Sequence, residues 1–83
     1  MTKINLQAGQ LDKFLHQNGA DIIDEIEGCL LDNLLCYTKH GATMAIYERY
    51  INCWTSGYYI EISKDKEEAN RIERDFETLK LTA

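Results

Sequence analysis

The sequence predicts a small α+β domain in which an antiparallel hairpin packs on helices, in the order α-(α)-β-β-α. Three observations predict it. Thr43–Ser63 is dense in β-branched and aromatic residues, the types that suit a pleated, half-buried surface. The segments on either side carry apolar residues at helical spacing. At 83 residues, the chain (1–83) is the length of a single domain around one core.

The elements follow in order. Residues 1–5 read as loose or as a short extended arm. From Leu6 to Gln17, the residues Leu11, Phe14 and Leu15 recur at helical spacing. Asn18-Gly19 stops that helix, because both residues tolerate a left-handed cap. Leu15, Ile22 and Ile26 nevertheless stay in phase, so residues 6–39 form one helix or two, and the break is the preferred reading.

Asp21–Lys39 is the strongest helical segment. Ile22, Ile23, Ile26, Cys29, Leu30, Leu34 and Tyr37 make an apolar stripe, widened by Leu31 and Leu35. So broad a stripe implies burial on more than one side. On this helix Asp21, Asp24, Glu25 and Asp32 project together, with Glu27 at the margin. Gly28 permits close packing or marks a kink. Lys39 and His40 suit the negative end of the helix, and Gly41 ends it.

In the hairpin, alternation sets Met44, Ile46, Glu48, Tyr50, Asn52 and Trp54 on one face of the first strand. Tyr58, Ile60 and Ile62 share the more buried face of the second. Thr55-Ser56-Gly57 reads as the connecting loop. A bulge near Asn52-Cys53 would bring Ile51 and Trp54 to the same side. Both strands would be sheet edges, so a homodimer with a four-stranded sheet, or an added partner strand, is expected to cover them. Asp65 then caps a last helix with Glu68 three residues on. Ala69, Ile72, Phe76 and Leu79 give it one narrow buried stripe, ending near Lys80.

The net charge of −5 argues against direct nucleic-acid binding and against an anionic membrane surface, and it permits a basic protein partner. The N-terminus lacks the apolar core of a signal peptide, and three cysteines fit reduced thiols, so a cytoplasmic location is expected. The five glycines are scattered and make no phosphate loop. Cys29 and Cys36 lie two helical turns apart, too far to share an ion. Cys36 and His40, at i and i+4, are the pair that could bind a metal or activate a thiol. Neither role is expected, and no catalytic residue, metal or cofactor is assigned. Asp21, Asp24, Glu25 and Asp32 are the candidate partner-binding acids, a mimic of nucleic-acid charge. Trp54 and Tyr59 are candidate aromatic anchors at the hairpin end.

A short acidic chain with the hairpin YERYINCWTSGYYIEI between helices resembles the small accessory proteins of phages and prophages. In size and charge it is similar to anti-CRISPR proteins. That group unites unrelated folds without a shared motif, so no residue role carries over from it. The resemblance implies a non-enzymatic inhibitor in the host-cell cytoplasm that blocks a nucleic-acid-binding surface of a CRISPR effector. A small homodimeric regulatory or structural protein is the alternative.

Overall fold

The computed structural model describes residues 2–27, 32–51 and 54–82, and of Trp54 the backbone alone. Among these residues the elements run β1 (Thr2–Gln7), α1 (Leu11–Asn18), β2 (Ala20–Glu27), β3 (Asp32–Thr38), β4 (Thr43–Ile51), β5 (Trp54–Ser63) and α2 (Lys66–Thr82). The strands make one antiparallel sheet in the order β1-β5-β4-β3-β2. One helix lies on each face. The α+β class and the central hairpin therefore stand, and the order of elements is corrected to β-α-β-β-β-β-α.

The β4–β5 hairpin follows the expected faces. Met44, Ile46 and Glu48 sit opposite Ile62, Ile60 and Tyr58, and directly opposed residues share a face. The connecting loop is not Thr55-Ser56-Gly57. Thr55 pairs with Tyr50 and Gly57 with Arg49, so Ser56 is the extra residue of a bulge inside the ladder. The bulge expected at Asn52-Cys53 lies outside the described residues. The hairpin edges are not open either. β1 pairs along β5, and β3 pairs along β4, so the chain supplies the strands that a dimer was expected to supply.

The largest correction concerns Asp21–Lys39. It is a pair of strands rather than a helix, and residues 6–39 contain one short helix, α1. The apolar stripe served two sheet faces instead of one helix face. Leu34 and Cys36 lie on the α1 side, and Leu35 on the α2 side. A strand covered on both faces loses its polar–apolar alternation and reads as a continuous apolar run. Ile23 is the extra residue of a second bulge, because Ile22 pairs with Cys36 while Asp24 pairs with Leu35. Ile22 and Ile23 are exposed, not core. Gly28, Cys29, Leu30 and Leu31 lie outside the described residues. At the N-terminus the extended alternative stands for residues 2–5, but the strand runs on through Leu6 and Gln7, expected as helix, and α1 starts only at Leu11; Ile4 and Leu6 turn to the core.

The helix signals at Gly19 and Asp65 stand, whereas Lys39, His40 and Gly41 form the turn between β3 and β4 and end no helix. Gly19 adopts φ 55° and closes α1, its N–H reaching the Leu15 and His16 carbonyls. Asp65 accepts the Glu68 N–H at 3.1 Å and caps α2. Ile72 and Phe76 are fully buried against Ile26, Leu35 and Ala45, with Tyr47 and Leu79 at the margin. On the opposite face, Leu11, Phe14 and Leu15 of α1 cover Leu34, Cys36, Met44, Ile46 and Ile60. Among the described residues no helix is long and apolar enough to cross a membrane.

Two features position the candidate site. α1 leaves β1 at its Gln7 end, where the Gln10 N–H bonds the Gln7 carbonyl. It arrives at the opposite end of β2, where the Lys39 N–H bonds Asn18 and Gly19 carbonyls. The helix thus crosses its face diagonally and leaves one corner of β2, β3 and β4 uncovered. At that same corner the β3–β4 ladder stops at Leu34–Ile46. Beyond it the buried Asn33 side chain accepts the Glu48 N–H at 2.8 Å, replacing the missing backbone partner.

Candidate functional site

The expected four-acid face does not form, because strands alternate where a helix would gather. Asp21, opposite Tyr37, and Asp24, opposite Leu35, lie on the α2 side of β2. Asp24 is engaged there by Lys80, at 2.6 and 2.7 Å, and also accepts the Glu25 N–H at 2.9 Å. These contacts, the Lys80 hydrogen bond foremost, hold the Asp24 carboxyl below its ordinary range. Glu25, opposite Leu34, and Asp32, opposite Glu27, lie on the α1 side.

That second pair belongs to a different cluster. Glu25, Glu27, Asp32 and Glu48 all occupy the α1 side of the corner that α1 leaves open. Tyr58 sits opposite Glu48 on β5, and Tyr50 donates its hydroxyl to Glu48 Oε2 at 2.6 Å. Thr55 donates to Glu48 Oε1, so both oxygens of that carboxylate are oriented by hydroxyls. Among the described residues, no Lys, Arg or His pairs with Glu25, Glu27, Asp32 or Glu48. On the α2 side, by contrast, Arg71 pairs with Glu61, Glu68 and Asp75, at 2.8, 3.3 and 2.7 Å.

The crowding registers in the titrating groups. Desolvation, then the charge of Glu27 and the contact with Asp32, hold the Glu25 carboxyl above its ordinary value of 4.5. Desolvation and the Glu48 hydrogen bond, aided by the charges of Glu48 and Asp32, push the Tyr50 phenol up to about 12. The Tyr58 phenol is raised by desolvation and by Glu48, Asp32 and Asp12. Both phenols are therefore neutral donors at pH 7, beside several carboxylates. Among the described residues, no group of three or more His, Cys, Asp or Glu is disposed to hold a metal ion. The arrangement suits an organic cation. A guanidinium can bridge carboxylates and stack on a tyrosine ring.

Glu25 also yields a stability prediction. Its folded pKa lies above its unfolded value, so the folded state holds the proton more tightly. Its ionised form therefore counts against the fold once pH rises through the folded value. Glu25→Gln is expected to raise the urea midpoint at pH 7, and the gain is expected to vanish below about pH 4. A gain of equal size at both pH values, or a loss at pH 7, would show that Glu25 is not held against its preference.

The other sequence candidates separate. Tyr59 lies on the α2 side, half-buried, its ring stacked on Tyr47 at a centroid distance of 6.3 Å. It joins the packing between β4 and β5 and does not reach the acidic corner. Trp54 begins β5 opposite Ile51, and its side chain lies outside the described residues. The Cys36–His40 pair is overturned: Cys36 is in β3, fully buried, and His40 is in the exposed turn after it. Burial, then the charge of Asp21, pushes the Cys36 thiol up to about 11, so it is not a nucleophile near neutrality. Cys29 and Cys53 lie outside the described residues.

Glu48, Tyr50 and Tyr58 are the site residues that the sequence reading missed, while Glu27 is expected only at the margin of the acidic face. Their signal was strand alternation at the hairpin, where Glu48 and Tyr50 share a face with Met44 and Ile46. It was outweighed by the apparent acidic helix. No family model, no curated protein and no solved structure matches this chain.

Proposed function

We propose that the protein is a non-enzymatic inhibitor, of the kind that anti-CRISPR proteins represent, which occupies a basic nucleic-acid-binding surface of a host defence effector. The observation that carries this reading is the corner of Glu25, Glu27, Asp32 and Glu48, four carboxylates without a cationic partner among the described residues, whereas Asp24, Glu61, Glu68 and Asp75 on the α2 side have one. Such a cluster on an uncovered sheet corner attracts Arg and Lys from a partner. A groove that normally takes phosphates supplies both. Tyr50 and Tyr58 add ring faces and neutral hydroxyls for the arriving guanidinium groups.

The test uses purified RNA-guided nucleases and a labelled target duplex. The native protein is expected to abolish duplex binding by its effector at near-equimolar ratio. The triple variant Glu25→Gln, Glu27→Gln, Asp32→Asn leaves Glu48 and its hydroxyl partners intact. It is expected to associate about tenfold more slowly at low salt, with a flatter salt dependence. Equal rates and salt dependence for the two proteins, or no inhibition of any such effector by the native protein, would refute this function.

A further inference from the structure

We propose that the outer edge of β1 pairs with the same edge of a second copy, two-fold and antiparallel, to make a continuous ten-stranded sheet across a dimer. The sheet has two outer strands, β1 and β2, and they are treated differently. β2 is blunted as an edge. It carries the Ile23 bulge, four acids in eight residues, and a Glu25 N–H already taken by Asp24. Self-pairing there would also oppose acid to acid. β1 is blunted only at its last residue, where the Gln10 side chain takes the Gln7 N–H. It pairs with β5 without a register shift over six residues and carries a single charge, Lys3. Among the described residues no strand pairs with its outer side.

The direction of its backbone groups can be read from two contacts. A Cβ on Gly57 would stand 2.3 Å from the Leu6 carbonyl oxygen, so that carbonyl points inward to β5. The next N–H, that of Gln7, points outward and is capped by the Gln10 side chain at 3.0 Å. Alternation then turns the N–H and C=O groups of Lys3 and Asn5 outward as well.

These groups select one register. Setting Lys3 against the partner's Asn5, and Asn5 against the partner's Lys3, closes hydrogen-bonded pairs on both sides of the two-fold axis. Ile4 then faces the partner's Ile4, and Leu6 faces the partner's Thr2. These contacts lie beside the open groove of about 210 Å³ between Leu6, Phe14, Gln10, Lys13 and Gln17. A shift one way opposes the two Lys3 charges. A shift the other way needs the Gln7 N–H that Gln10 already holds. The occupant is a second copy because this register opposes no like charges. The dimer also leaves both acidic corners at its far ends.

Sedimentation equilibrium from about 1 µM to about 1 mM tests the proposal. Asn5 is exposed on the face that α2 leaves open beside β1, so its substitution spares the core. Asn5→Lys places a lysine against the partner's Lys3 twice and is expected to weaken the dimer about tenfold. Asn5→Glu places a carboxylate there and is expected to tighten it severalfold. General repulsion between chains of net charge −5 would give the opposite signs. A native chain that stays monomeric throughout, or variants that move affinity in the reverse order or not at all, would overturn the proposal. Should a variant fail to fold, amide exchange of the native chain decides instead. Exchange at Lys3 and Asn5 that slows with concentration supports the edge, and exchange independent of concentration overturns it.

Discussion

Truncation of Phe76 to alanine is expected to lower the unfolding free energy by about 3–5 kcal/mol. Phe76 is fully buried, and with Ile72 it is one of two α2 residues sealed into the sheet. Its ring meets Tyr47 at a centroid distance of 6.3 Å and packs over Ile26, Leu35 and Ala45. The cavity would open under a helix whose remaining buried anchor is a single isoleucine, so little can collapse to fill it. A domain of this size is stable by about 5–10 kcal/mol. The variant is therefore expected to melt about 20 °C lower. Calorimetry or urea unfolding reads the effect, and a loss under about 1 kcal/mol would mean that α2 does not hold this face.

Gly57→Ala is the second large effect, expected to destabilise by about 2–4 kcal/mol. The reason is close approach. Gly57 lies between Arg49 of β4 and Gln7 of β1, and an added Cβ would stand 2.3 Å from the Leu6 carbonyl oxygen. Backbone cannot swing aside as a side chain can. β1 must therefore move away from β5 at that end, and the connection into α1 moves with it. Amide exchange should rise at Leu6 and through α1 before it rises in α2. Native-like protection of β1 in the variant would show that the strand sits further from Gly57.

The parts of the fold that were legible in the sequence share a local cause. Gly19 stops α1 because a left-handed residue ends a helix wherever it stands. Asp65 caps α2 through the N–H of Glu68, three residues on. The β4–β5 pair carries residues that favour strands on intrinsic grounds. What was not legible depends on distant parts of the chain. Leu34, Leu35 and Cys36 look helical because both faces of β3 are covered, one by α1 and the other by α2, and nothing within β3 records that. The Ile23 bulge then removes the alternation that β2 would otherwise show. β1 is the exception: Ile4 and Leu6 between Lys3, Asn5 and Gln7 alternate plainly, a local signal that supports a strand where a loose or short extended arm is expected.

The same error reshaped the candidate site. Reading Asp21–Lys39 as a helix gathered Asp21, Asp24, Glu25 and Asp32 onto one face. As strands, the segment divides them between the two faces of the sheet. Asp24 is bound by Lys80 on the α2 side, whereas Glu25 and Asp32 join Glu27 and Glu48 on the other. The acidic character was visible in the sequence. Which acids stand together was set by strand pairing and by the diagonal path of α1.

The central claim is that this unpaired corner is the surface that receives a basic partner. Amide and side-chain chemical shifts of the isotope-labelled protein, titrated with an arginine-rich peptide, test it most directly. Saturable shifts centred on Glu25, Glu27, Asp32, Glu48, Tyr50 and Tyr58 are expected, fading as salt shortens the screening length. Shifts centred instead on Asp21 and α2, or no shifts at low salt, would contradict it.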